Sequence, residues 1–581
     1  MSGPADRPHY AVGLDFGTES ARVVIVDVAD GSELTVEVHQ YRNGVIDERL
    51  PAPDADVTLE PDWALQDPND YLETLRLAVP RALARAEVDP ASVIGVGIDF
   101  TACTMLPTTA DGTPLCSIEA YRREPHAWVK LWKHHAAQPE ADEVNRVARE
   151  LGVPWLDRYG GKISAEWFFP KALQILREAP QVYDAAERLV EASDWLVWML
   201  TGVESRNNCT AGYKAIWSAA EGFPEPAFFA ALDPRFESVV DDKMSRSISR
   251  LGERAGGLSA RAAGWTGLLQ GTAVAVANVD AHVSVPAVTV TRPGTLVAIM
   301  GTSICHIVLS DTAPDIDGMC GVVLDGVIPG RYGYEAGQAA VGDLFGWFVE
   351  HGVPERYHDD ARARGIGIHE VLEEAAASLR PGETGLLALD WWNGNRSVLV
   401  DADLSGLIVG QTLATEAHDI YRALIEATAF GTRVIVDALA AGGVPVDRIV
   451  ACGGLPDRNR LMMQIFADVT GRQIRVAASS QTPALGAAMF GALAAGEARG
   501  GYATIEQAAE RMAHLRPETY EPSAEDSATY DRLYREYLRL HDLFGRGQNP
   551  VMKTLKALRL QVLARDRAPT PTATAATHAS P

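Results

Sequence analysis

The chain carries one local plan twice, and that repetition constrains its fold more than any other feature. Near the start, "VGLDFGTESARVVIVD" (residues 12–27) runs from an apolar strand through a carboxylate and a Gly-Thr turn into a second apolar strand. In the second half, "GTLVAIMGTSICHIVLSD" (294–311) again reads strand, Gly-Thr-Ser turn, strand. Each copy is followed by a helical pattern, "PNDYLETLRLAVPRALARAE" (68–87) and "EAHDIYRALIEATAFGTRVIVDALAAGG" (416–443). Each then reaches a buried strand, "VIGVGIDF" (93–100) and "RIVACGG" (448–454). Alternating β-branched runs and helical patterns indicate an α/β protein. Two matching halves in 581 residues indicate a duplicated domain around more than one core.

The first half opens with three short strands, "YAVGLDFG", "ARVVIVDV" and "ELTVEVHQY", expected as an antiparallel meander. Helices are expected through "AEWFFPKALQILREAP" and "VEASDWLVWMLTG", the latter stopped by Gly202. A domain boundary falls near "GWTGLLQGTAV", giving an N-terminal domain 1–270 and a C-terminal domain 271–563. The Pro/Thr/Ala-rich end, 564–581, reads as a disordered tail.

With 47% hydrophobic and 22% charged residues the composition is that of a globular protein. A formal charge of −25 argues against nucleic acid as a partner. Polyanionic ligands would then need backbone N–H groups, a metal or a few placed cations. Six scattered cysteines without a C-x-x-C pair fit a reducing compartment and give no zinc signature. No signal-like start is present, and "GTAVAVANVDAHVSVPAVTV" is broken by Asp280, His282 and Pro286, so no membrane span is expected. A cytoplasmic protein is expected.

Asp-x-Gly-Thr serves equally as hairpin-turn chemistry and as a phosphate-cradling loop. Two such turns facing each other would line a cleft with backbone N–H groups and hydroxyls, a nest unlike a P-loop. No G-x-x-x-x-G-K-[ST] pattern occurs. Asp15, just before the first turn, suits Mg²⁺ held against phosphates. Arg22 and Lys130 are candidates for charge help, although a solvated surface role is the first reading for either one. "ACGGLPDRNRLMMQIFADVTG" brings a Gly-Gly strand end onto a helix N-terminus, a geometry suited to nucleotide. The small-residue run "TPALGAAMFGALAAG" reads first as tight helix packing. Asp280 interrupts an apolar run, where a carboxylate is costly unless paired or used, helix capping being the competing reading. His282 beside it makes too thin a ligand pair for a metal.

Ten segments in order, "GLDFGTESAR", "GIDFTACT", "LWKHHA", "GGKISAEWFFPKAL", "CTAGYKAIW", "NVDAHV", "MGTSICHIVL", "GYEAGQAAVGDLFGWF", "LDWWNGNRS" and "CGGLPDRNRLMMQIFADVTG", resemble sugar kinases of the FGGY family. The similarity runs from about residue 10 to residue 545. It implies an α/β actin/hexokinase-like (ASKHA) fold, two ribonuclease-H-like domains around a central cleft. The segments "AGYKAIW" and "YEAGQA" point within the family to kinases of the ketopentose L-ribulose. The implied reaction is ATP- and Mg²⁺-dependent phosphorylation of the sugar's 5-hydroxyl, extending to other ketopentoses. By resemblance Asp280 is the catalytic base, and Ala102, Lys214, Asp280 and Glu335 contact the sugar, with Trp132 and Lys133 on the sugar side. Gly17, Thr18, Glu19 and Ser20 lie at the γ-phosphate and Asp15 at the metal. Gly301, Thr302, Gly453, Gly454 and Asn459 lie on the nucleotide side. Two departures stand out: His134 occupies a position where an acid often follows Trp-Lys, and "VANVDAH" lacks the glycines common before the base. Rival readings are a xylulose or glycerol kinase, a non-catalytic sugar- or nucleotide-binding protein, and an actin- or Hsp70-like ATPase. A homodimer is compatible with this reading.

Overall fold

Both Gly-Thr turns close antiparallel hairpins. In the computed structural model, which describes residues 8–51 and 57–567, β1 (Tyr10–Phe16) and β2 (Ser20–Asp27) pair with Asp15 opposite Arg22. β3 (Glu33–Gln40) completes the expected meander. Helix α1 (Pro68–Arg85) starts where the Asp67 side chain accepts the Asn69 amide at 2.9 Å and proline takes a first-turn position. It leads to β4 (Val93–Phe100), every residue of which is buried and which runs parallel to β1. Such a run has no polar face because both sides of a parallel strand are covered. β5 (Arg254–Gly257) and β6 (Ala273–Ala275) complete the sheet, in the order β3-β2-β1-β4-β6-β5, and β7 (Asn278–Val279) adds to β4. The first sheet therefore takes in residues 273–279, past the expected boundary at 270.

After helix α3 (Asp280–Ala287), the second sheet repeats the core order of the first. Its members are β8 (Gly294–Met300), β9 (Ile304–Ser310), β10 (Gly321–Leu324), β11 (Tyr332–Gln338), β12 (Val446–Cys452), β13 (Gln473–Ala477) and β14 (Leu515–Tyr520). The order is β10-β11-β9-β8-β12-β13-β14; with the extra edge strand β10 set aside, β11-β9-β8-β12 repeats β3-β2-β1-β4. An antiparallel strand again closes the far edge, although it precedes its neighbour in the chain in the first sheet and follows it in the second. Helices α4 (Gly342–Gly352), α5 (Ala417–Ala441), α6 (Gly454–Arg458) and α7 (Arg460–Thr470) belong to this half. The first half also carries a small four-stranded sheet around residues 65–66, 105–108, 129–130 and 188–191, backed by a core rich in aromatic side chains, including Trp155, Phe168, Phe169 and Phe229. Helix α2 (Asn208–Lys214) follows it.

The small-residue run forms helix α8 (Thr482–Ala495), and it crosses to the other half. A Cβ added to Gly13 or Gly97 of the first sheet would lie 1.8 Å from the carbonyl oxygens of Ala484 or Ala487. Only glycine strands under an alanine helix permit that approach. Tight packing was the sequence expectation; its partner is a sheet some 400 residues away in the chain. The last helix spans Val551–Arg567, so the expected tail begins inside a helix, and residues 568–581 lie outside the described residues.

Candidate active site

Parallel strands deliver their carboxyl ends to one place, where open α/β sheets hold ligands. In the first sheet that place is acidic. Asp15 on β1 stands directly beside Asp99 on β4, and Asn278 on β7 flanks Asp99 from the other side. Behind them Phe16 and Phe100 stack with centroids 5.5 Å apart. Asp15 is buried and takes its partner from across the hairpin, Arg22 Nη1 at 3.3 Å. Burial raises the Asp15 carboxyl above its ordinary range, and the Arg22 charge opposes that. Asp99 is wholly buried and neither of its oxygens has a donor. Burial first, then the neighbouring Asp15 and Asp280 charges, drives it well above the carboxylate range. Both carboxyls are thus pushed upward, Asp99 further than Asp15, which has the Arg22 guanidinium beside it. The sequence reading overlooked Asp99; its signal was a carboxylate in an otherwise apolar strand.

Asp280 opens α3 immediately after β7, and its Oδ1 accepts the Ala281 amide at 2.7 Å. Burial, with the Asp15 charge second, pushes it up to about 7. That value suits a group that takes a proton near neutral pH. Beside it, Lys214 at the end of α2 reaches Glu335 on β11, with Nζ 2.9 Å from Oε1 and 3.2 Å from Oε2. His282 Nε2 lies 3.3 Å from Glu335 Oε2, and its ring lies over Tyr213 at 4.2 Å. Burial pushes Glu335 upward, but Lys214 and His282 outweigh it and hold the carboxyl well below its ordinary range. His282 thereby faces Glu335, although among the described residues its ring nitrogens meet no hydrogen-bond geometry and burial lowers its proton affinity. Among the described residues no group of three His, Cys, Asp or Glu side chains is arranged to hold a metal.

Two further charges border this pair and were missed in the sequence. Glu166 Oε1 lies 3.0 Å from His135 Nε2 and 3.9 Å from Arg396 Nη2. Burial acts to raise Glu166, yet His135 and Arg396 bring it down to about 2. Arg396 packs over Gly337, where a Cβ would lie 3.0 Å from its Cδ. Glu166 sits in "SAEWFF", a charge in an aromatic segment. Ala102 lies just past the end of β4, partly buried against the central core.

The first turn is braced: Gly17 N donates to Ser20 O at 3.0 Å, and Gln66 Nε2 to Thr18 O at 2.6 Å. Tyr41 N donates to Glu19 O at 3.1 Å. Trp132 Nε1 donates to Thr18 Oγ1 at 3.1 Å, joining the sugar-side segment to this turn. Lys133 beside it is half-buried. The second turn leans on α4, with Val341 N donating to Thr302 O at 2.7 Å and Gly342 N to Gly301 O at 3.1 Å. Gly453 has φ +95°, and a Cβ there would lie 2.5 Å from Met300 O, so this strand end admits only glycine. Gly454 is open. Asn459 caps α7 through Oδ1, which accepts the Met462 amide at 2.7 Å.

Lys130 and His134 are elsewhere. Lys130 is wholly buried under the Trp63 ring at 4.2 Å, 3.4 Å from His134 Nε2, and burial lowers it to about 7. It is neither a solvated cation nor a cleft residue. His134 is a buried strut: its Nδ1 accepts the Ala64 amide at 3.3 Å, and its Nε2 lies 3.0 Å from Gln174 Oε1.

Residues 10–285 match the N-terminal domain of the FGGY family of carbohydrate kinases, and residues 296–495 match its C-terminal domain. The chain belongs to this family. It is a carbohydrate kinase, and ATP is its phosphoryl donor. It is 58% identical to a ribulokinase of Geobacillus thermodenitrificans over 94% of this chain and 96% of that protein. It is 51% identical to a ribulokinase of Mycolicibacterium smegmatis over 96% and 97%, respectively. The fold is shared with a solved xylulose kinase from Rhodospirillum rubrum, at TM-score 0.72 and 23% identity over 92% of this chain and 98% of that one. A Plasmodium falciparum glycerol kinase solved with ADP aligns at TM-score 0.70 and 15% identity, over 92% and 98%. The actin/hexokinase-like fold expected for such kinases is the one observed. No helix among the described residues is long and apolar enough to cross a membrane.

Proposed function

We propose that this FGGY kinase transfers the γ-phosphoryl group of ATP to the 5-hydroxyl of L-ribulose, as a step in arabinose breakdown. The observation that carries the reading is Asp280. It is a half-buried carboxylate poised near neutral pH, between the acidic strand ends of the first sheet and the Lys214–Glu335 pair. The ribulokinase relatives at 51–58% identity over nearly the whole chain support the sugar.

In this reading Asp280 orients the hydroxyl and receives its proton as the phosphoryl group arrives. Lys214 donates to a sugar oxygen and Glu335 accepts from a sugar hydroxyl, each held rigid by the other. Ala102, Trp132 and Lys133 complete the sugar side. Gly17, Thr18, Glu19 and Ser20 take the γ-phosphate. Gly301, Thr302, Gly453, Gly454 and Asn459 take the nucleotide. Asp15 would hold Mg²⁺, which supplies charge neutralisation at the phosphates. Magnesium is commonly held by one or two carboxylates together with substrate phosphates, which fits this donor set. A coupled ADP-release assay over L-ribulose, D-ribulose, xylulose, the parent aldopentoses and glycerol tests the reading. Turnover on L-ribulose at least tenfold above every other sugar is expected. Equal or better turnover on xylulose or glycerol would assign the pocket to another member of the family.

A further inference from the structure

The second sheet carries a cationic cavity that phosphoryl transfer does not use. The sheet face turned toward α3 and α8 is apolar over the carboxyl halves of its strands, where Val297, Val450 and Ala477 join one core. Over the amino halves the same face becomes polar. Register sets Thr295 beside Arg448, Arg448 beside Gln473, and Val450 beside Arg475. Together with Thr289 and Arg292 of the segment joining the two sheets, these residues line a cavity of about 390 Å³.

Among the described residues no carboxylate answers the three arginines. Arg448 Nε donates to Thr295 Oγ1 at 3.0 Å, and Arg475 Nη2 to the Arg516 carbonyl at 2.7 Å. The Arg475 Nε is buried without a partner. Arg292 is exposed and makes no hydrogen bond or ion pair among the described residues. Asp447, next along β12, projects from the opposite face, where a Cβ on Gly294 would lie 2.9 Å from its carboxylate. The setting makes this unusual: the chain bears a formal charge of −25, and other arginines of the same half, such as Arg422, Arg433 and Arg516, each hold a carboxylate. Converging guanidinium groups repel one another until an anion enters, and their planar forks match phosphate oxygens in pairs. The volume falls within the range of small-metabolite sites.

We propose that this cavity binds a small phosphate-bearing anion, separately from the catalytic cleft, with the inter-sheet segment as one wall. Calorimetric titration of the full chain tests it, with the cleft filled by L-ribulose and a non-hydrolysable ATP analogue. One arm uses inorganic phosphate and the other glycerol 3-phosphate, which distinguishes a free ion from a phosphate ester. Saturable binding of one molecule per chain is expected in at least one arm. Arg448→Gln and Arg292→Ser should each weaken it about tenfold, the scale of one lost charged hydrogen bond. Both variants should keep the sugar-kinase kcat of the parent without added anion. Arg292 is exposed and makes no hydrogen bond or ion pair among the described residues, so Arg292→Ser separates lost binding from lost folding. The absence of saturable binding at millimolar anion in both arms, or binding unchanged in both variants, would overturn the site.

Discussion

Lys214 Nζ lies 2.9 Å from Glu335 Oε1, which joins the last turn of a helix in the first half to a strand of the second. Both side chains are almost shielded from water, at 12% and 9% exposure. Removing one partner of such a pair strands the other charge in a poor solvent. Lys214→Ala and Glu335→Ala should each lower kcat/KM for L-ribulose about tenfold or more, with nucleotide affinity nearly unchanged. The double variant should lose less than the sum of the two, because neither leaves an orphan behind. The pair also has a pH signature. Glu335 is held below its ordinary range in the folded chain, so its stabilisation is full above the unfolded value near 4.3 and is lost as pH falls toward the folded one. Acid unfolding curves of wild type and Glu335→Gln should therefore converge at low pH; parallel curves would show that the pair contributes no stability.

Asp280 makes the opposite prediction. Poised at about 7, it should be ionised above that pH and protonated below, so kcat/KM should fall up to tenfold per unit below about 7. Asp280→Asn should cost on the order of 10²–10⁴ in kcat while sugar and ATP still bind. A raised carboxylate binds its proton more tightly when folded, so from about pH 4 to 7 stability should decline as pH rises. Asp280→Asn should accordingly melt higher than wild type at pH 8. Normal turnover in this variant would remove Asp280 as the base.

Asp15 and Asp99 are neighbours with different expected roles. Asp15→Asn should weaken the hold on Mg²⁺, and excess Mg²⁺ should restore part of the rate, whereas it should restore none in Asp280→Asn. Burial and crowding favour the protonated form of Asp99, and from that form Asp99→Asn replaces one uncharged polar group by another. Its kcat should stay within about threefold of wild type, a change of under 1 kcal/mol. Melting temperature should not fall. A loss comparable to that of Asp15→Asn would mean that Asp99 is ionised and serves the metal.

The approach of α8 to the first sheet makes a prediction about stability alone. Gly97→Ala would put a Cβ 1.8 Å from the Ala487 carbonyl oxygen, a backbone atom that cannot swing aside. Overpacking of this kind costs about 1–3 kcal/mol or more. Denaturant unfolding should register that loss in Gly97→Ala. Gly454→Ala, where nothing lies within 4 Å, should unfold like wild type and be read by nucleotide affinity alone.

The sequence by itself determined what depends on neighbours along the chain. The two hairpins follow from alternating apolar runs around Gly-Thr, the start of α1 from Asp67-Pro68, and the end of the helix at Ala192–Thr201 from Gly202 in the left-handed region. Repetition of that local plan was enough to reveal two sheets with a common core order. Tertiary structure decided which surfaces meet. A small-residue helix announces close packing but not its partner, so nothing in "TPALGAAMFGALAAG" says that it lies on strands "AVGLDFG" and "VIGVGIDF". Two lysines of the first half end in different settings: Lys130 is sealed under Trp63, and Lys214 is matched to Glu335 more than a hundred residues on. The proton affinities of Glu166, Asp15 and Asp99 are shifted by groups, Arg396 among them, that only folding brings together. Local pattern fixes backbone conformation because turns and caps act over a few residues. Proton affinity and ion pairing are set over a few ångströms of space, and that distance is created by the fold.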